Sequence, residues 1–189
     1  MKPQKHAPNS WPARTVVWGL LFIAVGLGGY YLYNTAYNRA IVSFKIEPPP
    51  AIHPQDASAP TAIAIPSVGI DLPVEPGVIN RGIWSVSEFY ANHLKTSAYP
   101  GTKGNIIIYG HDKTEIFANL LNIQPGDRLV LTTPGDTTYA YEVEATYTTT
   151  PDDPTPVLST DTETVTVYTC TGLFNEKRFI VRARPIAPD

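Results

Sequence analysis

The chain has 189 residues, enough for one domain of ordinary size with short attachments. Hydrophobic residues make up 43% and aromatic residues 11%, which is enough to build a packed core, and the formal net charge is −3. There is no basic surplus of the kind that binds nucleic acid, and the single cysteine excludes both an intrachain disulfide and a zinc site built from several cysteines.

The N-terminal part of the sequence predicts a membrane anchor. A short basic segment, 1–14, precedes the charge-free run 15–33 (TVVWGLLFIAVGLGGYYLY). At about 1.5 Å per residue, a helix of that length approaches the roughly 30 Å hydrocarbon thickness of a bilayer. A cleaved signal peptide is the alternative, but its apolar region would be shorter. Lys2, Lys5 and Arg14 precede the run, whereas only Arg39 and Lys45 follow it in the flanking segment 34–60, so we expect a cytoplasmic N-terminus and an extracytoplasmic domain.

Residues 34–60 are rich in proline, including the triplet at 48–50. Proline fixes φ and lacks an amide proton, so this stretch predicts an extended linker rather than packed structure. The folded domain is expected to begin at residue 61 and to include the rest of the chain, 61–189.

Within that domain, short apolar runs alternate with Gly, Pro and Asp. Their Val, Ile, Thr and Tyr content, with period-two alternation in several runs, predicts β-strands. The predicted strands cover 63–74, 82–86, 105–110, 127–133, 138–149, 163–170 and 178–186. Helical turns are expected at 117–122 and, as a second candidate, at 87–92. This pattern predicts an all-β barrel or sandwich.

Three polar residues lie where predicted strands end or begin. Cys170 ends one strand, Arg178 begins the next, and His111 follows the run NIIIYG. Strand ends on a rigid scaffold are common positions for catalytic groups. A thiolate nucleophile, an imidazole acid or base and a guanidinium that stabilises an oxyanion together suggest acyl transfer through a thioester.

The residues alone leave alternatives to this trio. His93 lies within the domain and competes with His111 for the role of base. Arg182 and Arg184 compete with Arg178, and either could be a solvated charge on a strand. An unpaired cysteine is also often a buried, inert apolar residue.

Five segments resemble the sortase family, in family order. The runs VYTCTG (167–172) and KRFIVRA (177–183) are similar to the family's Thr-Cys strand end and the following Arg-containing strand. PGTKGNIIIYGH (100–111) resembles the stretch that leads into the family's catalytic histidine. IAIPSVGIDLPV (63–74) resembles its opening strand, and FANLLNIQPGDRLVLTT (117–133) its short helix and Gly-Asp turn.

The resemblance implies a closed eight-stranded sortase barrel with one or two short helices. It implies that Cys170 is the nucleophile, His111 the general acid and base, Arg178 the oxyanion or substrate-positioning residue, and Thr169 a residue that lines the substrate site. The implied reaction cleaves a C-terminal LPxTG-like sorting signal on a protein substrate and passes the acyl group to an amine of a peptidoglycan precursor or a pilin lysine. No cofactor is implied.

The sequence departs from the family pattern in two places. Gly172 stands where many relatives have proline, which predicts a looser turn, and region 146–164 is compact. Asp112 could favour a protonated His111, although a solvated turn aspartate is the simpler interpretation. Four further carboxylates lack the spacing of a defined calcium site, so no metal is predicted; these are Asp152, Asp153, Asp161 and Glu163.

Two other function classes share features with a sortase. An L,D-transpeptidase or papain-like hydrolase also pairs Cys with His, but its nucleophile lies in a different local context from the strand end at Cys170. A membrane-tethered, non-catalytic β-barrel that binds a ligand would keep the fold and need no thiol.

Overall fold

The computed structural model describes residues 13–40, 42–45, 48–55 and 57–186, except for the side chains of residues 13, 14 and 34–40. Helix α1 spans Ala13–Ala40. It contains the run Thr15–Tyr33, which is exposed throughout and is long and apolar enough to cross a membrane, as expected of a single-pass anchor. The predicted basic segment 1–14 lies almost wholly outside the described residues.

Strands dominate the second unit of the chain, residues 39–189. Within the described part, ten strands follow the helix: β1 Ala62–Ile65, β2 Ile70–Gly77, β3 Ile79–Asn80, β4 Ile83–Trp84, β5 Ala91–Leu94, β6 Asn105–Tyr109, β7 Arg128–Thr133, β8 Thr137–Thr149, β9 Thr164–Thr171 and β10 Lys177–Pro185. Short 3-10 helices lie at Pro66–Val68, Ala118–Asn122, Thr155–Val157 and Leu173–Asn175.

Eight of these strands close into a barrel in the order β1, β2, β5, β6, β9, β10, β8, β7, which confirms the predicted closed eight-stranded fold. The β2–β5 and β6–β9 pairs are parallel, and the other pairs are antiparallel. Strands β3 and β4 form a separate two-stranded hairpin. Closure pairs the backbone of every barrel strand on both sides, so no long sheet edge remains exposed.

Three predicted elements of the domain differ from the structure in detail. The run predicted as one strand at 63–74 forms β1 and β2, separated by the 3-10 helix Pro66–Val68. The helical turn expected at 117–122 is the 3-10 helix Ala118–Asn122, whereas the second candidate, 87–92, forms bends that lead into strand β5. The sequence of β5, ANHL, contains no β-branched residue and therefore gives no strand signal. Its strand conformation depends on pairing with β2 and β6.

Strand β9 is buried on both faces. Val165 and Val167 point into the barrel core, where they meet Ile106 and Ile108 of the neighbouring strand β6. The alternate residues of β9 face outward, and they are buried as well. The near-continuous apolar character of TVTVYTC fits this double burial, because such a strand has no solvated face.

Residues Val42–Lys45, called the covering segment below, lie over the outer face of β9. The ring of Phe44 meets Tyr168 edge-on with ring centres 5.1 Å apart, and lies 6.1 Å from Trp84. The Tyr168 hydroxyl donates a hydrogen bond of 2.9 Å to the Val42 carbonyl. Val42 and Phe44 are almost completely buried, although the sequence predicts an extended linker here. Burying such side chains contributes about 1.5–3 kcal/mol each, which favours packing on the barrel.

The proline-rich stretch that follows also contacts the barrel. The Ala51 amide donates to the Thr96 carbonyl at 2.7 Å. The ring of His53 stacks on Tyr99 with centres 3.6 Å apart. Residues 34–40 of the predicted linker belong to helix α1. Residues 42–45 and 48–55 make contacts with the barrel, where the sequence predicts an extended spacer.

Candidate active site

Cys170 and Arg178 lie directly opposite each other on neighbouring strands. In the antiparallel β9–β10 pair the two residues are Cα partners. Directly paired residues project from the same face of a sheet, with Cα atoms about 4.5–5.5 Å apart. Cys170 shares the parity of Tyr168, so this face is the outer one, beneath the covering segment. The predicted nucleophile and the predicted arginine are thus brought together by strand register.

His111 reaches the same level from the other side of β9. Strands β6 and β9 are parallel, with Tyr109 paired to Tyr168. Beyond the paired residues, the Gly110 amide donates to the Tyr168 carbonyl at 3.3 Å. His111 and Cys170 are each two residues beyond that pair, so they lie level at the ends of adjacent strands.

Thr169 ties these two strand ends together. Its hydroxyl donates a hydrogen bond of 3.0 Å to the carbonyl of Gly110, the residue before His111. The side chain is fully buried. The contact holds the end of β6 against β9 and fixes the backbone from which the imidazole projects.

Arg178 is buried, with 2% of its surface exposed, and its guanidinium is held by backbone carbonyls. Nη1 donates to the carbonyls of Asn175 and Lys177, both at 3.0 Å. Nη2 donates to the carbonyl of Ser43 in the covering segment, also at 3.0 Å. Nε is buried and has no hydrogen-bond partner among the described residues. The guanidinium therefore already binds a peptide carbonyl at the site, and its Nε–H is a further donor that is not used by the described residues.

The Cys170 thiol is fully buried. Burial raises the pKa of the Cys170 thiol to about 12, although the nearby Arg178 charge lowers it in part and Asp112 raises it further. A buried thiolate is costly because it loses its hydration. In this covered conformation the thiol is therefore protonated at neutral pH.

The His111 imidazole is neutral for the same reason. Its side chain is 4% exposed, and burial lowers its pKa, while the charge of Glu88 raises it in part. Lys113 lowers the pKa and Asp112 raises it, both to a smaller extent. Nε2 is buried without a hydrogen-bond partner among the described residues, and the nearest carboxylate oxygen, Glu88 Oε1, is 3.8 Å away. The covered site thus pairs a neutral thiol with a neutral imidazole.

The covering segment is held by polar contacts as well as by its aromatic ring. The Trp84 amide donates to the Ser43 hydroxyl at 3.0 Å, so the β3–β4 hairpin also binds the segment. A cavity of about 290 Å³ borders the segment and reaches the guanidinium. It is lined by Ser43, Phe44, Lys45, Gly82, Ile83, Pro151 and Arg178.

The rival histidine has a different environment. His93 lies on β5 and pairs with Ile108, three residues before His111. At about 3.3 Å per residue, that spacing places it roughly 10 Å along the strand from the level of Cys170. Its Nε2 lies 3.0 Å from the Ala98 carbonyl and 3.1 Å from the Ser97 hydroxyl. These contacts are typical of a structural histidine.

The rival arginines also lie away from the cysteine. Arg182 pairs with Thr166 on β9, four residues from Cys170, and its Nη1 donates to the Thr166 hydroxyl at 3.1 Å. Arg184 is exposed and forms ion pairs with Glu142 and Glu144. Among these three arginines, Arg178 is the one aligned with the cysteine.

The turn after Cys170 begins with a glycine. Gly172 has φ of 84°, a left-handed conformation that proline cannot adopt. Phe174 and Asn175 also have positive φ, and Leu173 and Phe174 are exposed. The turn that proline makes in many relatives is therefore replaced here by a left-handed turn.

Three of the four carboxylates considered for calcium have protein partners. Asp152 pairs with Lys45 at 2.6 Å, and Asp153 accepts from the Thr149 hydroxyl at 2.7 Å. Glu163 accepts from the Gly101 amide at 2.8 Å. Within the described residues, no group of three or more His, Cys, Asp or Glu side chains is arranged to hold a metal ion.

Sequence patterns did not identify Glu88 or Lys113 as parts of this site. The Lys113 ammonium forms an ion pair with Glu88 Oε2, and Nζ lies 3.4 Å from the Glu88 carbonyl. Both residues lie in irregular segments without a recognisable motif. The position of Lys113, two residues after His111, is the one signal that the sequence offers.

Comparisons with known proteins agree with the fold. The family model described as Sortase domain matches residues 63–186, and no curated protein sequence matches the chain. Among solved structures, the Clostridium perfringens Sortase D5 transpeptidase is similar with 29% identity and a TM-score of 0.59, covering 72% of this chain and 83% of that one.

Two further structures extend the comparison. A lid mutant of Sortase A from Corynebacterium diphtheriae has 28% identity and a TM-score of 0.61, covering 82% of this chain and 90% of that one. Sortase C of Streptococcus pneumoniae has 27% identity and a TM-score of 0.60, covering 69% and 70%. Because the family model spans nearly the whole barrel and the same fold recurs in these structures, this chain belongs to the sortase family of transpeptidases.

Proposed function

We propose that this protein cleaves an LPxTG-like C-terminal sorting signal on other proteins, with Cys170 as nucleophile, His111 as general acid and base and Arg178 as oxyanion donor. The acyl group then passes to an amine of a peptidoglycan precursor or a pilin lysine. The observation that carries this proposal is the register: Cys170 opposes Arg178 across β9–β10 and lies level with His111 across β6–β9. A general acid and an oxyanion donor thus flank one thiol.

The thiol is fully buried, and the covering segment is bound to Arg178, the residue directly opposite Cys170, so we expect the segment to move before a peptide can bind. The Ser43 carbonyl on Arg178 Nη2 marks a position where the guanidinium accommodates a peptide carbonyl. On opening, the substrate carbonyl takes that position, and Arg178 donates to the oxygen that becomes negative. Exposure to water also lowers the pKa of the thiol, since burial is the main cause of its rise.

In the first half of the reaction, the neutral imidazole of His111 takes the proton from Cys170. The sulfur attacks the scissile carbonyl carbon, and its oxygen carries the negative charge beside Arg178. When the tetrahedral intermediate collapses, the C–N bond breaks and the imidazolium gives its proton to the departing amine. The products are a thioester on Cys170 and a peptide with a new N-terminus.

In the second half, an acceptor amine attacks the thioester carbonyl and the C–S bond breaks. An ammonium loses two protons in this step: one returns to the sulfur, and the other leaves through His111 to solvent. Thr169 is assigned a positioning role, since its hydroxyl fixes the carbonyl that precedes His111.

We place the protein as a single-pass membrane protein with its barrel outside the cytoplasm. The apolar run Thr15–Tyr33 supports the anchor by its length and composition. The basic segment before that run supports the orientation. Such an enzyme would meet its protein substrates and its amine acceptors at the extracytoplasmic face of the membrane that holds its anchor.

The proposal is tested by mass spectrometry of the full chain in detergent, incubated with a library of LPxTG-type peptides and amines. We expect an acyl adduct on Cys170 and an amide product, and neither with Cys170→Ala. Formation of product by Cys170→Ala would remove the cysteine from the nucleophile role. A barrel that only binds peptides would form no adduct and would bind equally well with Cys170→Ala.

A further inference from the structure

The entrance of the site, next to His111, carries an ion pair that the acylation chemistry does not use. Glu88 Oε2 binds the Lys113 ammonium, and the backbone carbonyl of Glu88 lies 3.4 Å from the same nitrogen. One residue thus supplies two oxygens to a primary ammonium. Glu88 is 53% exposed and Lys113 42% exposed, so solvent reaches the pair.

The other carboxylate oxygen of Glu88 points toward the candidate base. Oε1 lies 3.8 Å from Nε2 of His111, which is almost fully buried and has no hydrogen-bond partner within the described part of the chain. A buried ring nitrogen without a partner is costly, and here it faces the place where an ammonium is bound. A primary ammonium on Glu88 would therefore lie beside the group that must accept its proton.

We propose that Glu88 is the docking carboxylate for the ammonium group of the amine acceptor, and that Lys113 occupies this position until the acceptor displaces it. The inference rests on the proposed function and identifies where its second substrate binds. The Lys113 ammonium is the same chemical group as an acceptor lysine side chain or another primary amine. Phe89, which follows Glu88 and is 74% exposed, offers an apolar surface to the methylene groups of such a chain.

The proton balance of this step is complete without a further reactant. The bound ammonium gives one proton to His111, and its lone pair attacks the thioester carbonyl carbon. The C–S bond breaks, the nitrogen gives its second proton to the sulfur, and His111 releases the first proton to water. One hydrogen stays on the new amide nitrogen.

The test compares two acceptors in the full chain at pH 7: n-butylamine, which is an ammonium, and hydroxylamine, which is uncharged near neutral pH. For each variant, the measured quantity is the ratio of kcat/KM for n-butylamine to kcat/KM for hydroxylamine, with the same LPxTG-type peptide pool as acyl donor. Effects on acylation and on folding act on both acceptors and cancel in this ratio. A change in the basicity of His111 does not cancel, because only the n-butylammonium must give it a proton; such a change would shift the pH dependence of kcat/KM for n-butylamine, whereas loss of docking lowers kcat/KM without shifting it.

We expect Glu88→Gln to lower the ratio about tenfold, because a charge-assisted contact to the ammonium is lost. Lys113→Ala should raise it about threefold, because the internal competitor is removed. Glu142→Gln, which removes a carboxylate from the distant ion pair with Arg184, is the matched control and should leave the ratio unchanged.

Opposite effects of the two variants distinguish docking from bracing. If the ion pair only braced two loops, breaking it from either side would change the ratio in the same direction or not at all, and the inference would be overturned while the proposed function stood. Absence of any acyl-enzyme in the wild-type protein would instead overturn the proposed function, and the inference with it.

Discussion

The guanidinium of Arg178 donates a hydrogen bond to the carbonyl of Ser43, a residue 135 positions earlier in the chain, at 3.0 Å. This contact joins the start of β10 to the covering segment that precedes the barrel. A charge-assisted bond of this kind is stronger than a neutral one. Arg178 Nη2 can therefore bind either the Ser43 carbonyl, which keeps the site covered, or the carbonyl of the proposed substrate. It cannot bind both at once with good hydrogen-bond geometry.

Removing the ring of the covering segment should expose the thiol. Phe44→Ala deletes the packing against Tyr168 and Trp84, so we expect Cys170 to react with iodoacetamide about ten times faster at pH 8. The rate is measured by mass spectrometry of the alkylated protein. Ile52→Ala, which removes an exposed apolar side chain outside the covering segment, is the control and should leave the rate unchanged. Equal rates in both variants would show that the segment does not limit access.

Replacing the guanidinium by an ammonium should slow acylation. Arg178→Lys keeps the charge but loses the fork of donors, so we expect acyl-enzyme formation to fall about a hundredfold or more. The measurement is the single-turnover rate of adduct formation on Cys170. Arg182→Lys, on the same strand but aligned with Thr166, should stay within about threefold of wild type. If Arg178→Lys reacts nearly as fast as wild type, the proposed role of the guanidinium as oxyanion donor is wrong.

Burial of His93 should make the fold sensitive to mild acid. Desolvation is the main cause that lowers the pKa of His93 to about 4, although the Ala98 carbonyl raises it and His53 lowers it. The unfolded chain binds a proton near pH 6.5 and the folded chain only near pH 4, so stability is lost as the pH falls between these values. We expect a loss of about 3 kcal/mol.

The measurement for that prediction is urea unfolding of the wild type and of His93→Gln between pH 7 and pH 4. The variant lacks the titrating imidazole, so the unfolding free energy of the wild type should fall relative to that of the variant as the pH is lowered from 7 to 4. A constant difference across this range would mean that His93 is not the group responsible.

Thr169 should act on catalysis through the backbone before His111. Thr169→Val keeps the shape but leaves the Gly110 carbonyl without its donor, which costs about 1–2 kcal/mol of stability. We also expect kcat to fall more than KM rises, because the imidazole loses its fixed position. Thr169→Ser restores the hydroxyl and should restore kcat. Failure of this rescue, with valine as active as serine, would argue against the positioning role.

The strand pattern predicted most of the barrel because long strands carry their own signal. Strands β6, β8, β9 and β10 are rich in β-branched and aromatic residues, and each lies within two residues of its predicted bounds. Strand β5 was missed because its four residues have no intrinsic strand preference and depend on their neighbours. Short elements of this kind are decided by pairing, which no local window contains.

Some residues of the candidate site could likewise be identified from the sequence, and others could not. Cys170, His111 and Arg178 stand at strand ends, where the sequence already marks them, and Gly172 is a local signal for the turn between two of them. Glu88 has no such mark, because its role depends on its distance to His111 and not on its neighbours in the chain.

The sequence by itself determined the strand composition, the apolar N-terminal run and the strand-end positions of the thiol, imidazole and guanidinium, because these depend on residue type and local order. Tertiary structure decided the rest. Barrel closure placed β6, β9 and β10 side by side, packing brought Phe44 onto Tyr168, and folding set a carboxylate 3.8 Å from the buried imidazole. Register, burial and charge proximity arise between segments that are distant in the chain, and therefore only the folded molecule specifies them.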